Sequence, residues 1–328
     1  MADNQAKQRI IALYKLLSER TNKDHVLTTN QIIQCLREDY NIDINRNTLT
    51  NDLNLMRENG FDLEVIHSTQ NRYYYKGHPF TVPEMKLLID AVASSKFINA
   101  KKSNELIAKI CKLTNEYDAD KLHRNIYLST QARSENKSGY AIVDAVNTAI
   151  DEKCRVAFQY IDYNTKGEKF LRHDGEIYLV SPYAMIYDGD YYYLVGWCEN
   201  REMVENFRLD RIDHEPELIS DGYIEKPKGF RISDYRKTIF LMFGNGDPTE
   251  VTIQGEQVTM KGLIDQFGTT ARIKAIDENI YQAKVKVCTS PTFYRWIFGW
   301  GGKIRIIGPE NIKEEYGNML NKCTVSNQ

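Results

Sequence analysis

The sequence predicts an α+β protein built from several domains, and three observations lead to that fold class. Apolar residues recur at helical spacing through most of the first 124 residues, whereas aromatic and β-branched strands dominate after Lys153. A polar, turn-rich stretch from Ser129 to Gly139 lies between them and is expected to be a linker or an exposed loop. The chain of 328 residues is long enough for two or three hydrophobic cores. The predicted parts are an N-terminal domain at 1–80, a helical linker at 81–136, a β-rich domain at 137–238 and a small α/β domain at 239–328.

The first domain is predicted to hold three short helices and a hairpin. Residues 5–20 place their apolar positions on one helical face, and Thr28 or the threonine after it can cap a second helix. A third helix is expected to follow the cap residue Asn45 and to end at Asn59-Gly60. Residues 61–77 then have the alternation and polar turn of a hairpin.

The third helix has one apolar and one polar face. Leu49, Leu53 and Met56 recur at i, i+4 and i+7, so they are expected to face the core. The opposite face carries donors and acceptors of a size that suits base edges and phosphates in the major groove of DNA. The predicted DNA-binding residues are Arg46, Asn47, Thr50, Asn51 and Asn54, with Thr48 at the helix start and Arg72 and Tyr73 on the hairpin. A solvated face, or a surface for protein contacts, is the alternative.

Three short helices followed by a hairpin resemble the winged helix-turn-helix. The run Asn-Thr-Leu-Thr-Asn-Asp-Leu at residues 47–53 resembles the third helix of DeoR-type regulators. The resemblance implies an operator of double-stranded DNA as the partner, and a homodimer would match a two-fold operator. Residues 82–124 read as further helices whose apolar faces exceed what a linker needs, so we expect the dimer contact there.

The run from Asp190 to Asp213 is an aromatic strand, an acidic turn and a second strand with two arginines. In a strand Arg208 and Asp210 share one face, and Arg211 lies on the other. Arginines beside a buried aromatic strand are costly unless they meet an anionic partner. The alternative is internal pairing with Asp210, Asp213 or a carbonyl group.

This run resembles the WYL domain, a small Sm-like β-barrel of bacterial transcription regulators. The Trp-Tyr-Leu triplet of the family falls on 192–194, with Tyr192 in place of tryptophan, and its Phe-Arg-x-x-Arg-Ile motif falls on 207–212. The resemblance implies an anionic effector, either a nucleotide or single-stranded nucleic acid. The matched positions, taken as effector-binding residues, are Tyr160, Arg172, Ser181, Tyr183, Tyr193, Arg208 and Arg211. Each tyrosine taken alone is more often part of the barrel core than a ligand contact.

The C-terminal part begins at about Phe240 and resembles the extension that accompanies WYL domains. Residues 279–309 hold five Lys/Arg and no Asp or Glu, which is the largest charge asymmetry in the chain. Rings interleaved with cations fit single-strand binding. The alternative is that the rings form the core of this domain and the cations lie on a solvated strand.

Other function classes find little support in the sequence. No HExxH, GxGxxG or GxxxxGK motif occurs, so we predict no catalytic residues, no metal site and no cofactor. The six cysteines lack a CxxC pair and are expected to be free thiols of a cytoplasmic protein. No apolar run is long enough for a membrane span. Net charge is −2, so a DNA-binding face must gather its own cations.

These observations predict a DNA-binding transcription regulator. Its β-rich domain would sense an anionic effector and alter operator binding in a homodimer, with about 1–3 kcal/mol of coupling as a usual scale. The first alternative is an accessory protein that binds single-stranded nucleic acid and is linked to phage defence. The second is an enzyme acting on nucleotides, for which the sequence assigns no residues.

Overall fold

The fold is described from a computed structural model, which covers residues 2–124, 138–238, 242, 248–268 and 271–325. The chain divides into two compact units, Met1–Glu135 and Asn136–Gln328. Most of the predicted linker from Ser129 to Gly139 lies outside the described residues, as does most of the run from Phe240 to Gly246. The coarse prediction of N-terminal helices followed by a sheet-rich region is confirmed.

The first unit begins with three helices and a small antiparallel sheet. The helices are α1 (Ala2–Arg20), α2 (Thr29–Tyr40) and α3 (Arg46–Glu58). The strands are β1 (Leu27–Thr28), β2 (Leu63–Ile66) and β3 (Arg72–Tyr75), in the order β1-β3-β2. The predicted elements and their order are confirmed.

Local sequence explains where these helices start. Thr28 and Gln31 form a reciprocal capping box at the start of α2. The Asn45 side chain accepts a hydrogen bond from the Thr48 backbone N–H at 2.9 Å and caps α3. Leu49 and Leu53 are buried in the core between the helices and the sheet, as their spacing predicts. The orientation of α3 about its axis is therefore fixed.

Three further helices complete the first unit: α4 (Val82–Ser94), α5 (Ala100–Cys111) and α6 (Glu116–His123). They bury a core of their own that contains Met85, Ile89 and Ile107. Asn22 donates to the buried Asn115 side chain at 3.2 Å. These contacts join the two groups of helices into one unit.

The second unit starts with α7 (Gly139–Glu152) and a five-stranded antiparallel sheet. The sheet strands are β4 (Arg155–Gln159), β7 (Ile177–Asp188), β8 (Tyr191–Cys198), β9 (Met203–Arg208) and β10 (Glu217–Ile219). A separate hairpin is formed by β5 (Ile161–Tyr163) and β6 (Lys169–Leu171).

The expected closed barrel is corrected by the strand order, which is β10-β4-β7-β8-β9. Within the described residues the two edge strands β10 and β9 are not paired with each other, so the sheet is open. One isolated bridge between Tyr160 and Ile212 joins its two sides beyond the strand ends. Sequence alternation predicts strands and faces but not closure, which depends on twist and register across the whole sheet.

The C-terminal part of the second unit follows a short helix, α8 (Ile232–Thr238). Its elements are β11 (Thr249–Glu256), α9 (Met260–Phe267), β12 (Arg272–Ala275), β13 (Ile280–Val287), α10 (Pro291–Gly299), β14 (Ile304–Gly308) and α11 (Glu310–Val325). The strand order β12-β13-β11-β14 with the sequence β-α-β-β-α-β is the split βαβ arrangement. The helices pack on one face of this sheet through Leu263, Phe293 and Ile297.

Candidate functional site

The outward face of α3 carries the first set of candidate residues. Arg46, Asn47, Thr50, Asn51 and Asn54 are all exposed, while Thr48 is half-buried at the helix start. The three asparagine side chains form no hydrogen bond to another described residue. Their amides are therefore available to an external partner, as the helical periodicity predicts.

Two of these side chains are already positioned by neighbours. The Arg46 guanidinium donates from Nη2 to Asn30 Oδ1 of α2 at 2.8 Å. The Thr50 hydroxyl donates to the Arg46 carbonyl at 2.9 Å. The contact between Arg46 and Asn30 joins the N-terminal end of α3 to α2, the two helices whose relative position a groove-binding unit must hold.

A partly buried ion pair anchors the inward side of α3 to α1. Asp52, only 7% exposed, lies on the inward side of α3 and accepts from both Nε and Nη2 of Arg9 on α1, the second bond measuring 3.0 Å. The hydrogen bond to Asp52 raises the pKa of Arg9, although burial opposes it. Sequence reasoning missed this pair, although a carboxylate beside Leu53 on an apolar face signals a buried cation partner.

The hairpin residues separate into one exposed and one buried side chain. Arg72 is exposed, but Tyr73 is 5% exposed and belongs to the core of the first unit. The Tyr73 ring is therefore packed inside this unit, and its contact with the DNA backbone stays a prediction. Adjacent strand residues point to opposite faces, and the register Val65↔Tyr73 turns this ring inward.

The second set of candidates surrounds an aromatic cluster in the sheet of the second unit. The rings of Phe158, Tyr160, Tyr178 and Phe207 pack with centroid distances between 5.2 and 6.4 Å. Each of these side chains is at least nine-tenths buried. The cluster is the interior of the sheet and not an open stacking platform.

Tyr160 connects the three predicted arginines. Its hydroxyl accepts from the Arg208 backbone N–H at 3.0 Å, and its carbonyl accepts from the Arg172 backbone N–H at 2.8 Å. Burial raises the pKa of Tyr160 to about 12, while the positive charge of Arg211 acts in the opposite direction. The three arginines therefore belong to one neighbourhood, as the motif positions predict.

The Arg208 side chain is occupied. It donates to both oxygens of Asp210, at 3.0 and 2.7 Å, and its guanidinium carbon lies 3.4 Å from the ring centroid of Tyr191. Burial would lower the pKa of Arg208, but the bonds to Asp210 raise it overall. The internal pairing kept open as an alternative is thus present. Sequence reasoning did not identify Tyr191, which the aromatic strand pattern could have offered as a stacking partner.

Four of the predicted effector contacts are buried in this structure. Tyr160, Ser181, Tyr183 and Tyr193 are each no more than 9% exposed. Ser181 Oγ accepts from the Ile224 backbone N–H at 3.0 Å, and Tyr183 donates to the Glu225 carbonyl at 3.1 Å. The hydroxyls of Ser181 and Tyr183 therefore have structural roles in this conformation. Strands that are packed on both faces leave few rings exposed to a ligand.

Arg172 and Arg211 differ from Arg208. Arg172 is exposed in the turn after β6, and Arg211 is half-buried in the short 3-10 turn at 209–211. Neither side chain forms an ion pair with another of the residues described. The strand ends at Arg208, so the predicted alternation through Arg211 does not hold beyond that residue.

The predicted basic and aromatic surface near the C-terminus is divided between core and solvent. Phe293 and Tyr294 are buried, whereas Arg295 and Arg305 are exposed. Where the structure is described, no three His, Cys, Asp or Glu residues are grouped to hold a metal ion. No helix in the described ranges has the length and apolarity needed to cross a membrane.

Comparisons with known proteins identify the middle of the chain. Residues 141–215 match the family model of the WYL domain. No curated protein matches the chain. A structure of proteasome accessory factor B/C (PafBC) of Arthrobacter aurescens is similar at 16% identity and a TM-score of 0.29, over 94% of this chain and 45% of that one. A crystal structure of a CRISPR Cas-related protein is similar at 12% identity and a TM-score of 0.40, over 98% of this chain and 84% of that one. The chain thus spans less than half the length of the first of these structures.

Proposed function

Because the chain carries a WYL domain at residues 141–215, we propose that it is a transcription regulator that binds operator DNA through α3. The first unit has the element order of a winged helix-turn-helix, in which the N-terminal residues of such a helix enter the major groove. The observation that carries the proposal is the exposed row of Arg46, Asn47, Asn51 and Asn54 on a helix anchored from behind. Arginine and asparagine side chains read guanine and adenine edges respectively.

The proposed molecule is a homodimer that matches a two-fold operator. Support comes from α4, where Leu87 is 71% and Leu88 is 38% exposed on the outer side of the helix. Large exposed leucines on a helix whose other face is buried favour a second protein surface. We place the dimer contact there, and Leu87→Asp should convert the dimer to monomer in analytical ultracentrifugation. A dimer that survives this substitution would move the contact elsewhere.

The proposed effector is an anion that reaches Arg172, Arg208 and Arg211. Arg172 and Arg211 lack an ion pair among the described residues, which supports their availability. Arg208 would have to exchange Asp210 for the ligand, so binding would require a local rearrangement at residues 208–211. A nucleotide or a single-stranded nucleic acid offers the phosphates that arginine forks bind.

Selection of duplexes from a random DNA library tests the DNA-binding part. The proposal expects enrichment of an inverted repeat by the wild-type protein and its loss in Asn51→Ala. Single-stranded DNA should compete weakly. Enrichment of no sequence, together with tight binding of single strands, would instead favour the single-strand accessory protein.

A further inference from the structure

The C-terminal sheet leaves one of its faces without a covering layer. Burial alternates cleanly along its strands: Val251, Ile253, Val285 and Ile304 point into the core beneath the helices. The residues between them point to the other face, where every Lys and Arg of the four strands is exposed. Near Lys286 this face borders a cleft lined by Phe230 and Tyr235, and elsewhere along the strands it is open to a partner.

This open face is positively charged. Alternation places five cations on it, namely Arg272, Lys274, Lys284, Lys286 and Arg305, against the two carboxylates Glu250 and Glu256. Glu250 is already shared, because it lies 3.0 Å from Lys284 and 3.8 Å from Arg272. Lys274 and Lys286 have no ion pair with any described residue. The face therefore keeps an excess of positive charge.

The register brings like charges together. Arg272 lies directly opposite Lys284, and Lys274 follows Arg272 on the same face of the edge strand. Like charges at directly opposed positions destabilise a sheet, since their β-carbons are only about 5 Å apart. The Arg272 and Lys284 side chains are 81% and 53% exposed, and the two share one carboxylate, that of Glu250. An external polyanion would relieve this repulsion.

The side chains between the cations indicate which polyanion fits. Gln254, Gln282 and Thr252 lie among them and can donate hydrogen bonds to phosphate oxygens. The described strands place no aromatic ring on this face. Binding of single strands depends on rings that stack on unpaired bases, so a ring-free basic face fits the backbone of a duplex better. Duplex DNA also presents about one negative charge per 1.7 Å of axis.

We infer that the open face of the sheet β12-β13-β11-β14 is a second, sequence-independent contact surface for the phosphate backbone of duplex DNA. This surface is separate from α3 and reads no bases. Its contribution to affinity comes from the release of counterions, so it weakens steeply as salt concentration rises. It would retain the protein on DNA that lacks an operator.

A charge-matched pair of triple variants in the full chain tests this inference. The sheet variant carries Arg272→Gln, Lys274→Gln and Lys284→Gln. The control carries Lys261→Gln, Arg295→Gln and Lys313→Gln, which remove the same one arginine and two lysines from exposed positions on the helical side of the same domain. Each set removes one lysine that is paired with a glutamate, and the sheet set also removes Arg272 from that same Glu250. The probe is a random-sequence DNA duplex, with affinity measured by fluorescence anisotropy over a series of salt concentrations.

The sheet variant should bind the random duplex about tenfold more weakly at low salt, and the slope of log affinity against log salt should fall by about 3. The control should stay within about twofold of the wild type. The single substitution Lys274→Glu, at an exposed edge-strand position, should show a smaller loss in the same direction. The inference is overturned if the sheet variants bind as the wild type does, or if the control loses as much.

Two further outcomes would also overturn it. In the first, the wild type binds single strands and duplex with equal affinity, and the sheet variant loses both. The face would then be a surface for single strands. A change of oligomeric mass with unchanged DNA affinity would mean that a second copy of the chain covers the face. The measurement needs no operator, so a failure here leaves the role of α3 untouched, and a failure of operator selection leaves this surface untouched.

Discussion

The outward face of α3 and the arginine–tyrosine cluster around Tyr160 carry similar recognition side chains, but they differ in what those side chains already contact. On α3 the asparagine amides are exposed and unbonded within the described structure. Around Tyr160 the rings are buried, and Arg208 is bound to Asp210 and stacked on Tyr191. The α3 face is therefore open as it stands, whereas an anion that binds Arg208 must first displace its bonds to Asp210.

This difference has a physical basis. A helix that packs by one face leaves the other free, and an ion pair from behind fixes its orientation. A sheet strand packed on both sides buries polar groups, which must then be satisfied internally. A ligand that competes for Arg208 has to exceed the free energy of its bonds to Asp210. The proposed effector would therefore be a multivalent anion, which can form several bonds to the arginines.

The largest expected effect tests whether the ion pair between Arg9 and Asp52 anchors α3. Asp52→Ala leaves Arg9 partly buried without its partner, so we expect a loss of about 3 kcal/mol in the free energy of unfolding of the first unit. The matched control is Asp43→Ala, whose partner Arg37 is paired with it on the surface at 2.6 Å. That exposed pair should change stability by less than about 1 kcal/mol. Urea denaturation gives both values, and equal losses in the two variants would show that the pair on Asp52 is not an anchor.

The second expected effect concerns recognition. Asn51→Ala removes a side chain that is bonded to nothing else described, so folding stability should be unchanged. Specific affinity for the selected duplex should fall by about 2 kcal/mol, which is roughly thirtyfold. Arg57→Ala, at the C-terminal end of the same exposed helix, is the control and should weaken specific and random duplexes equally. Isothermal titration calorimetry distinguishes these cases, and a similar uniform loss in Asn51→Ala would remove base reading from α3.

A smaller effect tests the buried character of the Tyr160 cluster. Tyr160→Phe removes the acceptor of the Arg208 backbone N–H, so the free energy of unfolding near neutral pH should fall by about 1 kcal/mol.

The same variant should change the response to alkaline pH. The pKa of Tyr160 is raised from 10.0 to about 12 in the folded chain, mainly by burial. The stabilising contribution of this difference is therefore present in full below pH 10.0 and is lost as the pH rises through about 12. Tyr160→Phe should lose less stability than the wild type over that range in denaturation experiments. An identical pH dependence of the two proteins would contradict the buried, neutral phenol.

Sequence periodicity predicts the structure correctly where only one face of an element is buried. The spacing of Leu49, Leu53 and Met56 predicted which side of α3 is buried and therefore which residues are exposed. It did not indicate that the Tyr73 ring is buried, because a hairpin residue changes face with a shift of one position. It also could not indicate that Tyr160, Tyr183 and Tyr193 are buried, since aromatic strands buried on both faces have no polar alternation.

Long-range contacts could not be predicted from the sequence. Arg9 and Asp52 are separated by 43 positions, and no local pattern connects them. The register that places Arg272 opposite Lys284 depends on a complete sheet and not on either strand alone. The charge asymmetry of residues 279–309 was visible in the sequence, but the open face that gathers it also needs Arg272 and Lys274 from the neighbouring strand.

Footprinting of the selected duplex tests the distinction between the two regions most directly. The proteins compared are the wild type, Asn51→Ala and Arg208→Ala. The account predicts that Asn51→Ala loses the protected repeat, while Arg208→Ala keeps it and no longer responds to added anionic effector. Full protection by Asn51→Ala, or loss of protection in a folded Arg208→Ala protein without any effector, would contradict it.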